Sequence, residues 1–275
     1  MRNIILLTLL CSSLLMPDVG AQENLPVSRA EALGWDVLEG DGTLRRIRVP
    51  ILMYHYVSEL PADADDIRRG LTVEPEIFAR QMTYLVEAGY NTVTLNEVDL
   101  ALETGAPLPP NPVVLTFDDG HLDHYTHAFP ILQANSQVGT FFIVSGFADN
   151  SREGYMSWAQ IEAMAVAGMR MEAHSRTHSD LRERSFDFLV FEIAGSMESL
   201  AAHTGIEPSM FAYPVGRYDT DTLAVTASAG IQRAVTTQIG TWQNTTNRLE
   251  MPRMRVTNEV LADGMAYLLN YDVAP

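Results

Sequence analysis

The sequence predicts an α/β protein in which helices cover a parallel sheet, either closed as a barrel or laid out as a large doubly wound sheet. Three observations carry this expectation. Short apolar runs read as buried strands, helical periodicities fall between them, and the polar motifs follow directly after apolar runs, where the carboxyl ends of parallel strands carry chemistry. With 275 residues, 47% of them hydrophobic, the chain can bury a sizeable core as one large domain or two small ones.

The first element is a leader. Met1-Arg2-Asn3, the apolar run Ile4 to Met16 and the small residues Val19-Gly20-Ala21 have the layout of a secretory signal peptide, with cleavage expected after Ala21. The run is shorter than a membrane span, and no later segment reaches the roughly 18 apolar residues that a transmembrane helix requires. The mature chain is therefore expected to be soluble, and secreted or periplasmic. Cys11 follows Leu10, where a lipoprotein signal would place a small residue, so lipid anchoring is not expected. It is the only cysteine, and its removal excludes a disulfide framework, a cysteine nucleophile and thiolate metal ligands. The formal charge of −17 argues against a nucleic-acid partner. It suits a neutral or cationic polymer, and equally a protein selected for solubility.

After an extension over residues 22–48, one domain is expected over 49–275. Pro50 to Val57, Val113 to Phe117, Gly139 to Val144, Met169 to Ala173, Met210 to Tyr213 and Arg233 to Thr236 read as strands. Phe78, Met82 and Leu85 make a helical face ending at Gly89. Ser157-Trp158-Ala159-Gln160 reads as a capping box opening a helix to about Gly168. Phe186, Leu189, Val190, Ile193, Met197 and Leu200 recur on one helical face before Gly205. The loop Ala106 to Pro112, rich in proline, reads as a rigid connection within the domain.

Two motifs carry chemistry. Thr116-Phe117-Asp118-Asp119-Gly120 places two carboxylates at the end of a buried strand, before a glycine able to turn the backbone sharply. Read alone, such a sequence is an ordinary turn. His174-Ser175-Arg176-Thr177-His178 sets two histidines four apart, a spacing that reaches the same side of a helical turn and can direct both rings at one cation. Read alone, this pair is as well explained by surface or capping histidines. It lacks the Glu of the His-Glu-x-x-His zinc-protease helix, so a base must come from elsewhere. Together, two histidines and one carboxylate supply the three protein ligands of an open catalytic metal site, and the second carboxylate is free to act as base.

On these two motifs the sequence resembles the polysaccharide deacetylases of carbohydrate esterase family four, the NodB-homology fold, matching that family's first and second motifs without a mismatch. The resemblance implies a distorted (β/α) barrel as a single catalytic domain, Asp118 as catalytic base, and Asp119, His174 and His178 as metal ligands. Phe211-Ala212-Tyr213-Pro214-Val215-Gly216 resembles the family's groove-lining segment, which puts Tyr213, Pro214 and Val215 at the substrate. It departs from the pattern where many members have an Arg, here Ala212, and a Tyr, here Val215. The Tyr position acts through its backbone N–H on the oxyanion, a role open to Val215. The Arg ordinarily orients the catalytic aspartate. Arg253, in Met251-Pro252-Arg253-Met254-Arg255-Val256, is the candidate replacement through a bidentate pair with Asp118, and a surface arginine is the alternative reading.

Pro50 to Val57 resembles the opening strand of the branch that includes the poly-N-acetylglucosamine deacetylases, whose barrel is circularly permuted so that the strand carrying the catalytic histidine comes first. That no histidine follows His203 agrees with this order and makes His55 the expected general acid. His121, His124 and His127, spaced by three, are expected to line a helix face or the cleft rim, with His121 nearest the substrate. Trp158, Trp242 and Tyr213 offer sugar-stacking surface or core packing. The implied reaction is removal of N-acetyl groups from a polysaccharide with a divalent metal, zinc by its N/O ligands, with nickel or cobalt also fitting. An O-acetyl esterase and a polysaccharide-binding relative without turnover are the alternatives. A glycoside hydrolase fits poorly, because adjacent carboxylates on one strand do not face each other across a sugar bond.

Overall fold

A computed structural model of the protein describes residues 40–272, so the leader expected to end at Ala21, Cys11 and most of the expected 22–48 extension lie outside the described residues. The strands are β1 (Arg46–Arg48), β2 (Ile51–Tyr54), β3 (Tyr56–Val57), β4 (Thr72–Val73), β5 (Asn91–Thr92), β6 (Pro112–Phe117), β7 (Thr140–Ile143), β8 (Arg170–Ala173), β9 (Met210–Ala212), β10 (Arg233–Ile239), β11 (Trp242–Asn244) and β12 (Met251–Arg255). β2, β12, β10, β9, β8, β7 and β6 pair edge to edge in that order, every pair parallel. A further pairing of β2 with β6, Ile51↔Val114 to Tyr54↔Phe117, closes the ring. That one pairing decides between the two layouts the sequence left open: the fold is a parallel (β/α) barrel. β5 flanks β6 outside the ring, and β1 pairs antiparallel with β11.

Alternation along the strands divides the core in two. Leu52, Tyr54, Leu115, Phe117, Phe141, Met171 and Phe211 pack beneath the surrounding helices. The alternate residues Ile51, Val114, Phe142, Met210, Ala212, Val235 and Met251 pack with Val98 and Leu102 of the helix Leu95–Thr104. This helix closes the amino end of the barrel. Its Asp99 takes a 2.5 Å hydrogen bond from Nε of the buried Arg233, and its Glu103 pairs with the same guanidinium.

The expected helices form with their predicted ends. Ser157 and Gln160 make the capping box, and Ser185 and the left-handed Gly205 bound Phe186–Thr204. Its buried face is narrower than expected, because Phe186 and Val190 are 67% and 36% exposed while Glu192 and Ser196 are buried in their place. The expected strand Pro50 to Val57 is interrupted at His55. β12 has no continuous apolar signature, because Arg253 occupies an inward position two residues after Met251.

Candidate active site and metal centre

The site lies at the carboxyl ends of the barrel strands. β6 ends at Phe117, the Asp118 N–H donates to the Tyr54 carbonyl (3.0 Å), and the chain then turns through positive φ at Asp119 (76°) and Gly120 (77°). This turn buries Asp118 and sets the Asp119 carboxylate over the end of β8. Asp119 Oδ1 lies 3.2 Å from His174 Nε2 and 3.1 Å from His178 Nε2, and one ligand atom from each of the three residues lies within 4.8 Å of the others.

The two histidines do not sit on a helical turn, as their spacing suggested. Residues 174–178 form a loop with positive φ at Ser175 (63°) and His178 (59°), and that doubling-back brings both rings to one side. The loop is fastened from outside. Glu192 accepts hydrogen bonds from the N–H groups of Arg176 (3.0 Å) and Thr177 (2.9 Å) and from the Thr177 hydroxyl (2.6 Å), while the Gly146 N–H donates to the Arg176 carbonyl (3.0 Å). A Cβ at position 146 would stand 2.4 Å from that carbonyl oxygen. Gly146→Ala is therefore expected to displace the loop, lowering acetate release by about 100-fold, the scale of effect of an ångström-sized misplacement in an active site. Acetate release and circular dichroism together check this. Unchanged activity would show that the loop yields without moving His178.

The donor set fits a cation. His174 Nδ1 lies 2.7 Å from the Ala212 carbonyl, which can only accept, so Nδ1 carries the proton and the neutral ring presents a bare Nε2 to a carboxylate oxygen. Two acceptors face each other, and only positive charge between them makes the arrangement favourable. Without a metal that charge is a proton: burial opposes it, but the Asp119 hydrogen bond and the Asp118 charge raise the His174 pKa. For Asp119, burial is outweighed by hydrogen bonds from His121, His174 and His178, which hold the carboxyl well below its ordinary range. Zn²⁺, with N/O ligation from two histidines and a carboxylate, fits this set. Ala212, where many members of the resembled family have an Arg, thus contributes its backbone carbonyl to orienting the His174 ring.

Arg253, on β12, reaches Asp118, just past the end of β6, across the one intervening strand β2. NH1 donates to Oδ1 (2.8 Å) and NH2 to Oδ2 (2.7 Å), while the guanidinium is braced by the Thr236 carbonyl (2.9 Å) and the Thr116 hydroxyl (3.1 Å). Burial alone would raise the Asp118 pKa, but the Arg253 charge and its hydrogen bonds override that and hold it at about 2. His55 Nε2 is 3.8 Å from Asp118 Oδ2. Burial lowers its pKa to about 4 against the pull of Asp118 and Asp119, so its resting form is neutral.

The histidine series after the aspartates is not one helix face. His124 accompanies a π-helical turn (His124–Ala128) and bonds the His55 carbonyl, His127 Nδ1 bonds the Val57 carbonyl (2.8 Å), and His121 lies behind Asp119 rather than on the substrate side. His124 and His127 thus pin the chain around His55.

Asp118, Asp119, His55, His174 and His178 open on a cavity of about 480 Å³, whose walls include Tyr213, Val215, Thr237 and Arg255. Val215, 56% exposed, holds a positive φ of 58° that a β-branched residue rarely adopts, and among the described residues nothing accepts its backbone N–H. Pro214, expected beside it, does not line the cavity: it is buried and opens the short 3₁₀ turn that presents Val215. Trp158 stacks on His203 and Trp242 packs under Arg46, both away from the cavity. Sequence reading missed the wall formed by Asp66, Ile67, Gly70 and Leu71, whose polar segment carries no periodic signal. It also missed Arg255, although a strand through Arg253 places the second residue onward on the same side. Arg255 pairs with Met53 through the β12–β2 ladder, and among the described residues its guanidinium makes no hydrogen bond or ion pair.

A parallel barrel with two carboxylates, two histidines and a paired arginine at its carboxyl mouth is the architecture of a NodB-type hydrolase. Residues 105–234 match the polysaccharide deacetylase family, and the chain carries a polysaccharide deacetylase domain of that family. It is 28% identical over 215 residues to YxkH of Bacillus subtilis (strain 168), a protein assigned to the polysaccharide deacetylases, covering 78% of this chain and 74% of that one. It is 32% identical over 127 residues to the poly-beta-1,6-N-acetyl-D-glucosamine N-deacetylase of Escherichia coli (strain K12), a match spanning 42% of this chain but 18% of that protein. Among solved structures, the Streptococcus pyogenes deacetylase PplD in complex with acetate superposes with a TM-score of 0.76 at 27% identity, over 82% of this chain and all of PplD (100%). Among the described residues no helix is long and apolar enough to cross a membrane.

Proposed function

We propose that this polysaccharide deacetylase is a metal-dependent N-deacetylase of an N-acetylglucosamine-type polymer, exported by its amino-terminal leader. The observation that carries the mechanism is a buried Asp118, bound through both oxygens to Arg253, standing beside the cluster of Asp119, His174 and His178 and facing His55 on one cavity. The E. coli relative supports the choice of polymer.

Asp119, His174 and His178 would hold a divalent metal, zinc by its donor set, with nickel or cobalt also suited to it. When bound, such an ion supplies Lewis-acid polarisation of the acetyl carbonyl and makes the attacking water more acidic. Asp118 removes the proton of that water. With a pKa of about 2 it is ionised at every physiological pH. The Val215 N–H, left without an acceptor among the described residues at the cavity wall, would hold the oxyanion of the tetrahedral intermediate. His55, neutral at rest, takes up the proton from Asp118 across their 3.8 Å separation and delivers it to the departing sugar nitrogen. The C–N bond breaks, and acetate and a free amino sugar leave. Tyr213 and Val215 flank the bound sugar.

Acetate release from N- and O-acetylated glycans, with and without chelator, tests the reading. Wild type is expected to act on poly-N-acetylglucosamine and to lose activity with chelator, regaining it on addition of Zn²⁺. His55→Ala is expected to lower kcat by about 100-fold or more, with the smallest loss on O-acetyl substrates, whose leaving group needs protonation least. Chelator-insensitive activity, or release from O-acetylated glycans alone, would refute it.

A further inference from the structure

We propose that His121 is a positioning residue that confines Asp119 to a single metal-ligating oxygen. The inference rests on the metal-centre reading above. The two oxygens of Asp119 have separate partners: Oδ1 faces His174 and His178, while His121 Nε2 lies 3.2 Å from Oδ2. A carboxylate only accepts, so His121 donates through Nε2, and the Oδ2 lone pair directed at it is withdrawn from any cation held on the other side.

The His121 ring is fixed well enough to impose this. It is 4% exposed, stacks on Tyr56 with ring centroids 3.9 Å apart and planes at 23°, and lies 5.0 Å from the Tyr155 ring at 33°. The backbones of His121 and Tyr155 form an antiparallel bridge, and the Arg68 guanidinium packs 3.3 Å from the centre of the Tyr56 ring. A ring held in this way cannot rotate its nitrogen off Oδ2 without dismantling the stack. His121 does not line the cavity, so it touches neither substrate nor reacting atoms and acts only through Asp119. Freed of His121, the Asp119 carboxylate can swing and offer both oxygens, raising the coordination number and loosening the site.

The test is equilibrium binding of Co²⁺ and Zn²⁺ to the full chain, followed by the visible Co²⁺ absorption, for wild type, His121→Phe and His121→Gln. Phe keeps the stack and loses the hydrogen bond; Gln restores a donor. His121→Phe is expected to weaken metal affinity by about 10- to 100-fold, the usual cost of removing such an outer partner. Its Co²⁺ bands should also weaken as coordination expands, and His121→Gln should recover most of both. If the Phe variant does not fold, Gln against Leu repeats the comparison without the ring. Equal affinity and spectra for donor and non-donor variants would overturn the proposal while wild type binds metal tightly. Failure of wild type to bind either ion would instead overturn the metal-centre reading, and this inference with it.

Discussion

Asp118→Asn is expected to lower kcat for acetate release by about 100- to 10,000-fold, the usual worth of a positioned general base, with KM changed little. The amide cannot take the proton of the attacking water. It also presents one acceptor to a guanidinium that now engages two oxygens at 2.8 and 2.7 Å. A second signature follows in stability. The folded Asp118 pKa is depressed from 3.8 to about 2, so its ionised form contributes stability that is present above 3.8 and is lost as pH falls through about 2. That difference corresponds to about 2 kcal/mol. Acid unfolding of the Asn variant should lack this portion of the pH dependence. Full activity in Asp118→Asn would remove the residue from its role as base.

Arg253→Met is expected to be nearly as damaging, and its loss should depend on pH. Once the guanidinium is gone, burial dominates and the Asp118 pKa rises. The base works only when ionised, so the acid limb of the pH–rate profile moves to higher pH and activity partly recovers under alkaline conditions. Because the variant strands a buried carboxylate, a loss of about 3–5 kcal/mol of stability accompanies it. Arg253→Lys returns the charge without the planar fork and should restore the position of the acid limb more fully than the rate. Initial rates from pH 5 to 10 and denaturant unfolding check both. An unshifted acid limb in the Met variant would mean that Arg253 supports the fold and leaves Asp118 unaffected.

Much of the fold was readable because its signals are local. The strand ending at Phe117 announces itself by a mostly apolar run, and Ser157 and Gly205 mark helix ends through hydrogen bonds that span three or four residues. Where reading failed, the cause was a partner distant in sequence. Glu192 was not among the residues read on the buried face of its helix, yet it is buried, where it accepts from the backbone of Arg176 and Thr177. β12 was obscured because Arg253 could occupy the barrel interior only with Asp118, 135 residues away, as its counter-charge. His174 and His178 looked helical by spacing, but two left-handed residues and a loop tied to Gly146 and Glu192 bring them together instead.

By itself the sequence singled out Asp118, His55, Asp119, His174 and His178 as candidates and predicted the alternating order of strands and helices, because residue type and local periodicity are properties of short segments. Tertiary structure alone decided that the sheet closes, through β2 against β6, and that Arg253 meets Asp118. It alone divided the oxygens of Asp119 between His121 on one side and His174 and His178 on the other. Each of these depends on which distant segments share a face of the barrel, a matter settled by the burial of apolar strand faces that no short window of sequence contains.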